Sequence, residues 1–228
     1  MKACHFCFPP NSVPAIVVLS VAFALGGCSA VPGDAALRGG HYDIARQMYE
    51  EQYRIGNPDA GYRLADWYMN GWGNTIADPA KAFQIYSELA TKGEVIAAHD
   101  LGVCYEYGKG IPIDYKLSAA WYKTAADRGY LFSLFNLGTL YADDYVVPRN
   151  DVEGLTLLLE AAILAKHDDS TSLFIREDRS GHIGKISKRM TLDEIAKARL
   201  ESVQRASKWK GYSYKMTPPL VTNDGNQI

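Results

Sequence analysis

The chain has 228 residues and a formal net charge of −2, and its 24 Lys and Arg residues form no basic run along the sequence. Because a nucleic-acid-binding surface needs clustered positive charge, this distribution excludes nucleic acid as an expected partner. The length is sufficient for one domain with a sizeable apolar core.

The N-terminal segment has the pattern of a secretory signal. An apolar run at residues 15–25 (AIVVLSVAFAL) is long enough for a signal-peptide core, whereas a membrane span needs about 20 apolar residues. The run leads into Leu25-Gly26-Gly27-Cys28, which resembles the lipobox of bacterial lipoprotein signals. The resemblance implies a signal peptide over residues 1–27, a lipid anchor on Cys28 as the only membrane contact, and a periplasmic location, with Ser29 typical of outer-membrane sorting. An ordinary secretory signal with a chance cysteine is the alternative.

Residues 28–39 are predicted to form a short tether, and residues 40–166 a helical array that begins with half a repeat. Apolar residues between His41 and Ile55 have helical spacing, which predicts one helix, and Gly56-Asn57-Pro58 ends it.

A sequence pattern repeats every 36–37 residues in the middle of the chain. Each unit has a leucine, a small residue directly after it, and a tyrosine three positions further on. A period of this length indicates a stacked-repeat fold, in which each unit buries its apolar face against its neighbours. The sequence therefore predicts an all-α solenoid of αα-hairpins. The three sets are Leu64, Ala65 and Tyr68; Leu101, Gly102 and Tyr105; Leu137, Gly138 and Tyr141.

The three units cover residues 59–93, 94–129 and 130–166, and each is predicted to contain two helices. Glycines bracket the turn of the first two units at 71–73 and 108–110, and Asp78 and Asp114 have the position and type of helix N-caps. The small residues after the leucines predict close contact between facing helices. Unit three departs from the pattern of the first two units, because residues 142–146 (ADDYV) replace the glycine-bracketed turn.

The C-terminal part is predicted to close the array. Residues 167–190 are polar and indicate an exposed connection, and residues 191–209 form a helix that starts with a Thr191–Glu194 capping box. We expect this helix to fold over the last repeat as a cap, and residues 210–228 to be a loose tail. Its partial apolar stripe is Ile195, Ala198, Leu200, Val203 and Trp209.

Two segments carry a family resemblance. Residues 114–129 (DYKLSAAWYKTAADRG) resemble the second helix of a Sel1-like repeat, and residues 101–111 (LGVCYEYGKGI) resemble its first helix and turn. Unit one is similar through residues 64–73 (LADWYMNGWG), and the resemblance covers roughly residues 40–166. It implies an αα-solenoid, similar to tetratricopeptide repeats, that binds proteins. Bacterial members are often secreted or lipidated adaptors, and small lipoproteins of this type include immunity proteins against phospholipase toxins delivered by type VI secretion.

The resemblance also implies where a partner binds, because in tetratricopeptide arrays the first helices line the concave face. Trp72 is a further candidate, since it stands where unit two has Lys109 and tryptophan often anchors interfaces. The alternative for Trp72 is that its side chain folds back on the neighbouring helix. For the other positions, the alternative is that they line a solvated groove or belong partly to the core. The implied partner-binding residues are Tyr62, Asp66, Met69, Asn70, His99, Val103, Glu106, Tyr107, Phe135, Thr139 and Asp143.

The sequence offers no convincing catalytic set, so we expect no catalytic residue, metal or cofactor and no enzyme activity. The stretch from Ser207 to Lys210 matches the S-x-x-K spacing of β-lactamase-type enzymes, and some Sel1-like proteins are linked to penicillin binding. However, it lacks SDN and KTG companions and lies at a helix end, where cations are expected. Cys104 occupies the position of Trp67 and Leu140 in the other units, which predicts a buried, inert thiol.

Three functional hypotheses follow, in order of preference. The first is a lipid-anchored periplasmic module that binds one partner protein, most specifically an immunity protein that blocks a secreted toxin. The second is an envelope adaptor for secretion or polysaccharide export. The third, a remote one, is a penicillin-binding or hydrolytic enzyme.

Overall fold

The computed structural model describes residues 31–73, 75–143, 149–165, 175 and 181–209, and within these ranges the chain is helical and contains no strand. The predicted signal peptide, Cys28 and the predicted tail lie outside the described residues. Among the helices described, none has the length and apolar character needed to cross a membrane. They are α1 (Asp34–Arg38), α2 (Tyr42–Arg54), α3 (Pro58–Asn70), α4 (Pro79–Thr91), α5 (Val95–Tyr107), α6 (Tyr115–Ala126), α7 (Leu131–Ala142), α8 (Asp151–Leu164), α9 (His182–Ser187) and α10 (Leu192–Ser207).

The helices form an αα-hairpin solenoid. After the half repeat α2, the pairs α3/α4, α5/α6 and α7/α8 are three hairpins, and each helix packs on the one before and the one after it. The last helix, α10, packs on α8 and closes the array. The apolar core is correspondingly a chain of clusters that runs from unit to unit. The predicted all-α solenoid with a C-terminal capping helix is therefore confirmed.

The turns within the first two units depend on glycine and aspartate. Gly71 and Gly108 end α3 and α5 with φ values of 70° and 68°, a left-handed conformation that a residue with a Cβ adopts at a cost. Asp78 and Asp114 precede α4 and α6, and each side chain accepts a hydrogen bond from a backbone N–H of the first helical turn. The local sequence thus fixes where each hairpin reverses direction.

Close contact within the hairpins depends on the small residue of each unit. A Cβ added to Gly102 would lie 2.6 Å from the ring of Tyr122, and one added to Gly138 would lie 2.7 Å from Cγ of Leu158. Both Tyr122 and Leu158 belong to the second helix of the same unit. The predicted role of the small residues is confirmed for these two units.

A repeated tyrosine of the second helix is bonded to a carboxylate. The phenol hydroxyls of Tyr49, Tyr86 and Tyr122 each donate a hydrogen bond of 2.6–2.7 Å. Burial raises the pKa of all three phenols, so they remain neutral donors. Unit three has Leu158 at this position and lacks the bond. The three acceptors, in the same order, are Asp34, Asp66 and Glu106.

Removing one of these bonds tests their contribution to stability. We expect Tyr122→Phe to lower the free energy of unfolding by about 1–2 kcal/mol, because Tyr122 is fully buried and its bond to Glu106 is charge-assisted. Urea denaturation measures the change. Tyr42→Phe is the matched control and should change stability little, since Tyr42 is exposed and its hydroxyl makes no hydrogen bond to any residue that the structure describes. Equal effects of the two substitutions would contradict this role.

Two connections are more structured than the sequence predicts. The predicted tether contains α1, and Val31 and Asp34 are only 5% and 6% exposed. Asp34 is held there because it accepts the hydrogen bond of Tyr49 and lies 3.6 Å from the guanidinium of Arg63. The predicted exposed connection contains α9, whose Ile186 is completely buried. Packing therefore begins before residue 40 and includes part of residues 167–190.

The capping helix α10 is positioned by small residues and one ion pair. Ala198, Ser202 and Ala206, spaced four apart, are its buried side chains, and both terminal nitrogens of Arg205 donate 2.7 Å hydrogen bonds to Glu153 on α8. The expected capping box at Thr191 is present. The prediction that the apolar stripe is buried was wrong for two positions. The helix packs through its small residues, and these two larger side chains point to solvent. These two are Leu200 and Val203, which are 62% and 59% exposed.

Candidate functional site

The surface formed by α3, α5 and α7, here called the first-helix face, has an unbalanced charge. These three helices contain four carboxylates and one guanidinium, and α7 has no charged residue. The guanidinium, on Arg63, is only 5% exposed and faces Asp34, so it adds little positive charge to the surface. The face is therefore acidic, and its acidity is confined to units one and two. The four carboxylates belong to Asp59, Asp66, Asp100 and Glu106.

Two of these carboxylates, Asp66 and Asp100, form an acidic pair across units one and two. Tyr86 donates a 2.7 Å hydrogen bond to Oδ1 of Asp66, and the Tyr62 hydroxyl donates to the Asp100 carboxylate. Oδ2 of Asp100 is enclosed and has no hydrogen-bond donor, although the side chain as a whole is partly exposed. The rings of Tyr62 and Tyr86 lie 6.0 Å apart beside the pair. The acidic pair is thus held firmly and is incompletely satisfied.

The environment of the pair favours protonation. Burial raises the pKa of Asp100 to about 8, with a further contribution from the charge of Asp66, while the Tyr62 hydrogen bond and the charge of Lys109 oppose the rise. Burial also raises the pKa of Asp66 above its ordinary value, against the Tyr86 hydrogen bond. At neutral pH, therefore, the acidic pair retains a proton on Asp100.

Further predicted residues of units one and two surround the acidic pair. Tyr107, at the end of α5, is 63% exposed, and Asn70 is exposed and donates to the carbonyl oxygen of Asp66. Met69 and Val103 are partly buried against the core, so each offers only part of its side chain. Glu106 is partly exposed while it accepts from Tyr122. Units one and two thus present a mixed acidic, amide and aromatic surface.

His99 stabilises the fold. Its Nδ1 lies 2.9 Å from the hydroxyl of Ser133, and its ring packs 5.3 Å from Tyr122 and 5.0 Å from Tyr130. Burial lowers the pKa of its imidazole to about 4, so the ring is neutral at physiological pH. These contacts favour packing over partner binding for this residue.

Trp72 is folded back against the core. Its ring meets the buried Trp67 edge-on at 5.5 Å, and its indole nitrogen is enclosed without a hydrogen-bond acceptor. The structure therefore places Trp72 in the alternative arrangement, packed on the neighbouring helix, with only part of the ring at the surface.

The unit-three positions are already engaged within the chain. Asp143 forms ion pairs with Lys185 and His182 of α9, and the ring of Phe135 lies 6.3 Å from that of His182. Thr139 donates to the carbonyl oxygen of Asn136. Because α9 packs against this end of α7, these unit-three positions are at least partly engaged within the chain.

The residues considered for catalysis lie in surroundings that do not activate them. The hydroxyl of Ser207 donates to the carbonyl oxygen of Gln204 at the exposed end of α10, and Lys210 lies outside the described residues. Cys104 is 1% exposed, and burial raises the pKa of its thiol to about 12, as expected for an inert cysteine. In the part of the chain that the structure describes, no three side chains are placed to hold a metal ion.

A second concavity of about 480 Å³ lies between α6, α7, α8 and the capping helix α10. Three of its acidic side chains are engaged: Asp127 binds Lys123, Glu153 binds Arg205, and Glu160 accepts from the Trp209 indole. Two of these contacts join α8 to the C-terminal end of the capping helix, so this groove lies where the capping helix is attached.

The fold and the first-helix face define a class: an αα-hairpin solenoid that acts as a protein-interaction module. The repeats are similar to Sel1 repeats, because the Sel1 repeat model matches residues 58–94, 95–130 and 131–165, just under half of the chain. These limits agree within one residue with the units predicted from the sequence. The matched family is one of repeats and indicates no catalytic activity.

Known proteins share parts of this arrangement. The chain is 26% identical over 127 residues to chitin synthase regulatory factor 3 of Schizosaccharomyces pombe, covering 56% of this chain and 14% of that protein. The crystal structure of c5321, a protective antigen of uropathogenic Escherichia coli with an SLR fold, has a TM-score of 0.50 and 19% identity, over 89% of this chain and 52% of that one. The immunity protein Pa5087 of Pseudomonas aeruginosa has 18% identity and a TM-score of 0.30, over 78% and 84% of the two chains. The chain thus spans a small part of the curated relative and about half of the antigen, and the similarity to the antigen bears on the fold alone.

Proposed function

We propose that this protein is a lipid-anchored periplasmic module without enzyme activity that binds one partner protein through its first-helix face. The observation that carries the proposal is the contrast between the face and the scaffold beneath it. The packing leucines Leu64, Leu101 and Leu137 are identical and buried, whereas the matched exposed positions Asn70 and Tyr107 differ between units one and two. A generic scaffold with unit-specific surface residues suits recognition of one particular protein.

The most specific form of the proposal is an immunity protein that neutralises a phospholipase toxin delivered by type VI secretion. A small array without a catalytic set acts by stoichiometric occlusion of the toxin's active site or of a surface that the toxin needs. The inferred lipid anchor on Cys28 keeps the module in the compartment that such a toxin enters. This specific role rests on the sequence resemblance and on the acidic face of units one and two.

The test is protection by direct binding. Each secreted phospholipase of the same organism is produced in the periplasm of cells with or without the full-length chain. We expect growth to be restored only with the chain, and purified chain and toxin to form a one-to-one complex in size-exclusion chromatography. If the chain gives no protection and forms no complex with a toxin, the immunity role is ruled out.

The anchor has its own experiment. We expect intact-mass spectrometry of the wild-type protein to show an acylated species cleaved before Cys28, and Cys28→Ser to remove the acyl mass and release the protein from the membrane fraction. The matched control is Cys104→Ser, whose thiol is buried in the repeat core and should leave acylation unchanged. Unmodified wild-type protein would contradict the anchor without affecting the binding role.

A second candidate is an envelope adaptor for secretion or polysaccharide export, favoured by the same interaction fold. It differs in its phenotype, because deletion should then impair secretion or export in cells that meet no toxin. Normal envelope function together with toxin sensitivity would exclude the adaptor.

A further inference from the structure

We propose that the α1 end of the array contacts the lipid bilayer and that the α10 end is held away from it. This inference rests on the proposed acylation of Cys28 and adds to it the part of the folded protein that faces the phospholipid headgroups. The contact surface consists of α1 and the residues that follow it as far as the start of α2.

The chain between the acylation site and the folded array is very short. Only Ser29 and Ala30 separate Cys28 from Val31, which is buried and belongs to the apolar core. Three residue steps of an extended chain span at most about 11 Å. The headgroups add roughly 5–8 Å to each side of the hydrocarbon core, so this reach is little more than the depth of the headgroup layer. Acyl chains on Cys28 that insert into a bilayer therefore bring Val31 to the headgroups.

The first helix is attached firmly to the array and cannot swing out to lengthen this reach. Asp34 on α1 accepts the 2.7 Å hydrogen bond of Tyr49 on α2, and its carboxylate lies 3.6 Å from the buried guanidinium of Arg63 on α3. The backbone at Gly33 lies directly on the Tyr49 ring, because an added Cβ would be 2.7 Å from a ring carbon. The anchor consequently acts on the packed array itself.

The charge of the α1 end suits a bilayer that contains anionic phospholipids. In residues 31–42 the one carboxylate is that of Asp34, which is buried and lies beside Arg63. Arg38, at the end of α1, and His41 are exposed. Basic side chains close to a membrane surface are attracted to anionic headgroups, whereas the acidic first-helix face of units one and two is repelled. Charge therefore favours the α1 end as the surface next to the lipid.

The α10 end lies far from the anchor. The helices pack on one another in chain order from α1 to α8, and α10 packs on α8. Three hairpins lie between α2 and α10, and the spacing of packed helices places α10 on the order of 30 Å from α2. An array that pivots about Cys28 keeps α1 at the bilayer in every orientation and brings α10 there for only part of the time. Unit one is then the repeat nearest the membrane, where a phospholipase meets its substrate.

The test measures lipid proximity at the two ends of the array. Ala35→Cys on α1 and Ala196→Cys on α10 replace exposed helical alanines, and a thiol-reactive fluorophore labels the new side chain, because Cys104 is buried and Cys28 is acylated. The full-length acylated protein is reconstituted into vesicles of phosphatidylethanolamine and phosphatidylglycerol, with or without a phospholipid that carries a nitroxide, a short-range quencher, on its headgroup. We expect severalfold stronger quenching for the Ala35→Cys label than for the Ala196→Cys label.

A longer connection supplies the second variant. Insertion of a Gly-Ser linker of about 20 residues between Ala30 and Val31 adds a flexible segment that spans roughly 25 Å. Quenching of the Ala35→Cys label should then fall to the level of the Ala196→Cys label. Intact-mass spectrometry of each preparation establishes whether Cys28 is acylated.

The outcomes separate this inference from the anchor on which it rests. In acylated protein, equal quenching at the two positions, or quenching of the Ala35→Cys label that is unaltered by the linker, would overturn the membrane contact of α1 and leave the anchor in place. Absence of the acyl mass would overturn the anchor and this inference with it. Protection against a toxin is measured independently of both.

Discussion

Replacing Gly102 with valine is expected to lower the free energy of unfolding by about 2–3 kcal/mol. The Cβ alone would lie 2.6 Å from the Tyr122 ring, and the two methyl groups of valine would extend further. The ring has little freedom to move, because Tyr122 is fully buried and its hydroxyl is bonded to Glu106 at 2.6 Å. Relief therefore requires separation of α5 from α6, which exposes apolar core around Leu101.

A matched substitution separates crowding from helix propensity. Gly184, in α9, has no heavy atom within 4 Å of its added Cβ, so Gly184→Val changes a helical glycine in the same way without a clash. It should leave stability unchanged or raise it slightly, since glycine is a poor helix former. Urea denaturation of both variants gives the comparison. Similar stability of the two variants would show that α5 and α6 separate easily, which would contradict a tightly packed hairpin.

The scaffold could be predicted from the sequence because its determinants recur with one period. The Leu101, Gly102 and Tyr105 set appears in three copies, and each copy reports the same packing environment. Turn glycines and aspartate caps act within a few residues of their own position, so their effect does not depend on the rest of the fold. Such local and repeated signals locate the hairpins, their turns and the helix starts.

The arrangement of the face could not be predicted in the same way, because its contacts join positions that do not repeat. The repeated tyrosines Tyr86 and Tyr122 bond to Asp66 and Glu106, which occupy different positions within their units. The acidic pair joins Asp66 of one unit to Asp100 of the next, so no single repeat contains it. An excess of acidic residues on the first helices is the available signal, but the repeat register points to Asp66 and not to Asp100.

The contacts of the unit-three candidate residues with α9 could not be predicted either, because they also join positions that do not repeat. By repeat register, Phe135 of α7 and Asp143 directly after it are surface positions, and in the structure α9 contacts them from about forty residues further along the chain. The segment around α9 is polar and has no repeat signature. Its helix is too short to give a clear periodic signal, so the sequence favours an exposed connection there.

Ionisation of Asp100 is expected to lower the free energy of unfolding as the pH rises. The pKa of Asp100 rises from an ordinary 3.8 in the unfolded chain to about 8 in the folded one, mainly through burial. Between these values the folded state holds a proton that the unfolded state releases, so unfolding becomes easier as the pH rises. The contribution of Asp100 is fully present below about pH 4 and is lost as the pH passes through 8.

Asp100→Asn should therefore match the wild type only below about pH 4, and should be increasingly more stable than the wild type as the pH rises from 5 to 8. The difference should grow by at most about 1.4 kcal/mol per pH unit, and by less in practice because Asp100 retains some contact with solvent. Charging of His99 at low pH affects both proteins equally and cancels in the difference. Urea unfolding at pH 5, 6, 7 and 8 measures it, with Asp43→Asn as the exposed control. Parallel curves for wild type and Asp100→Asn would mean that Asp100 ionises as freely in the folded chain as in the unfolded one, which would contradict its burial.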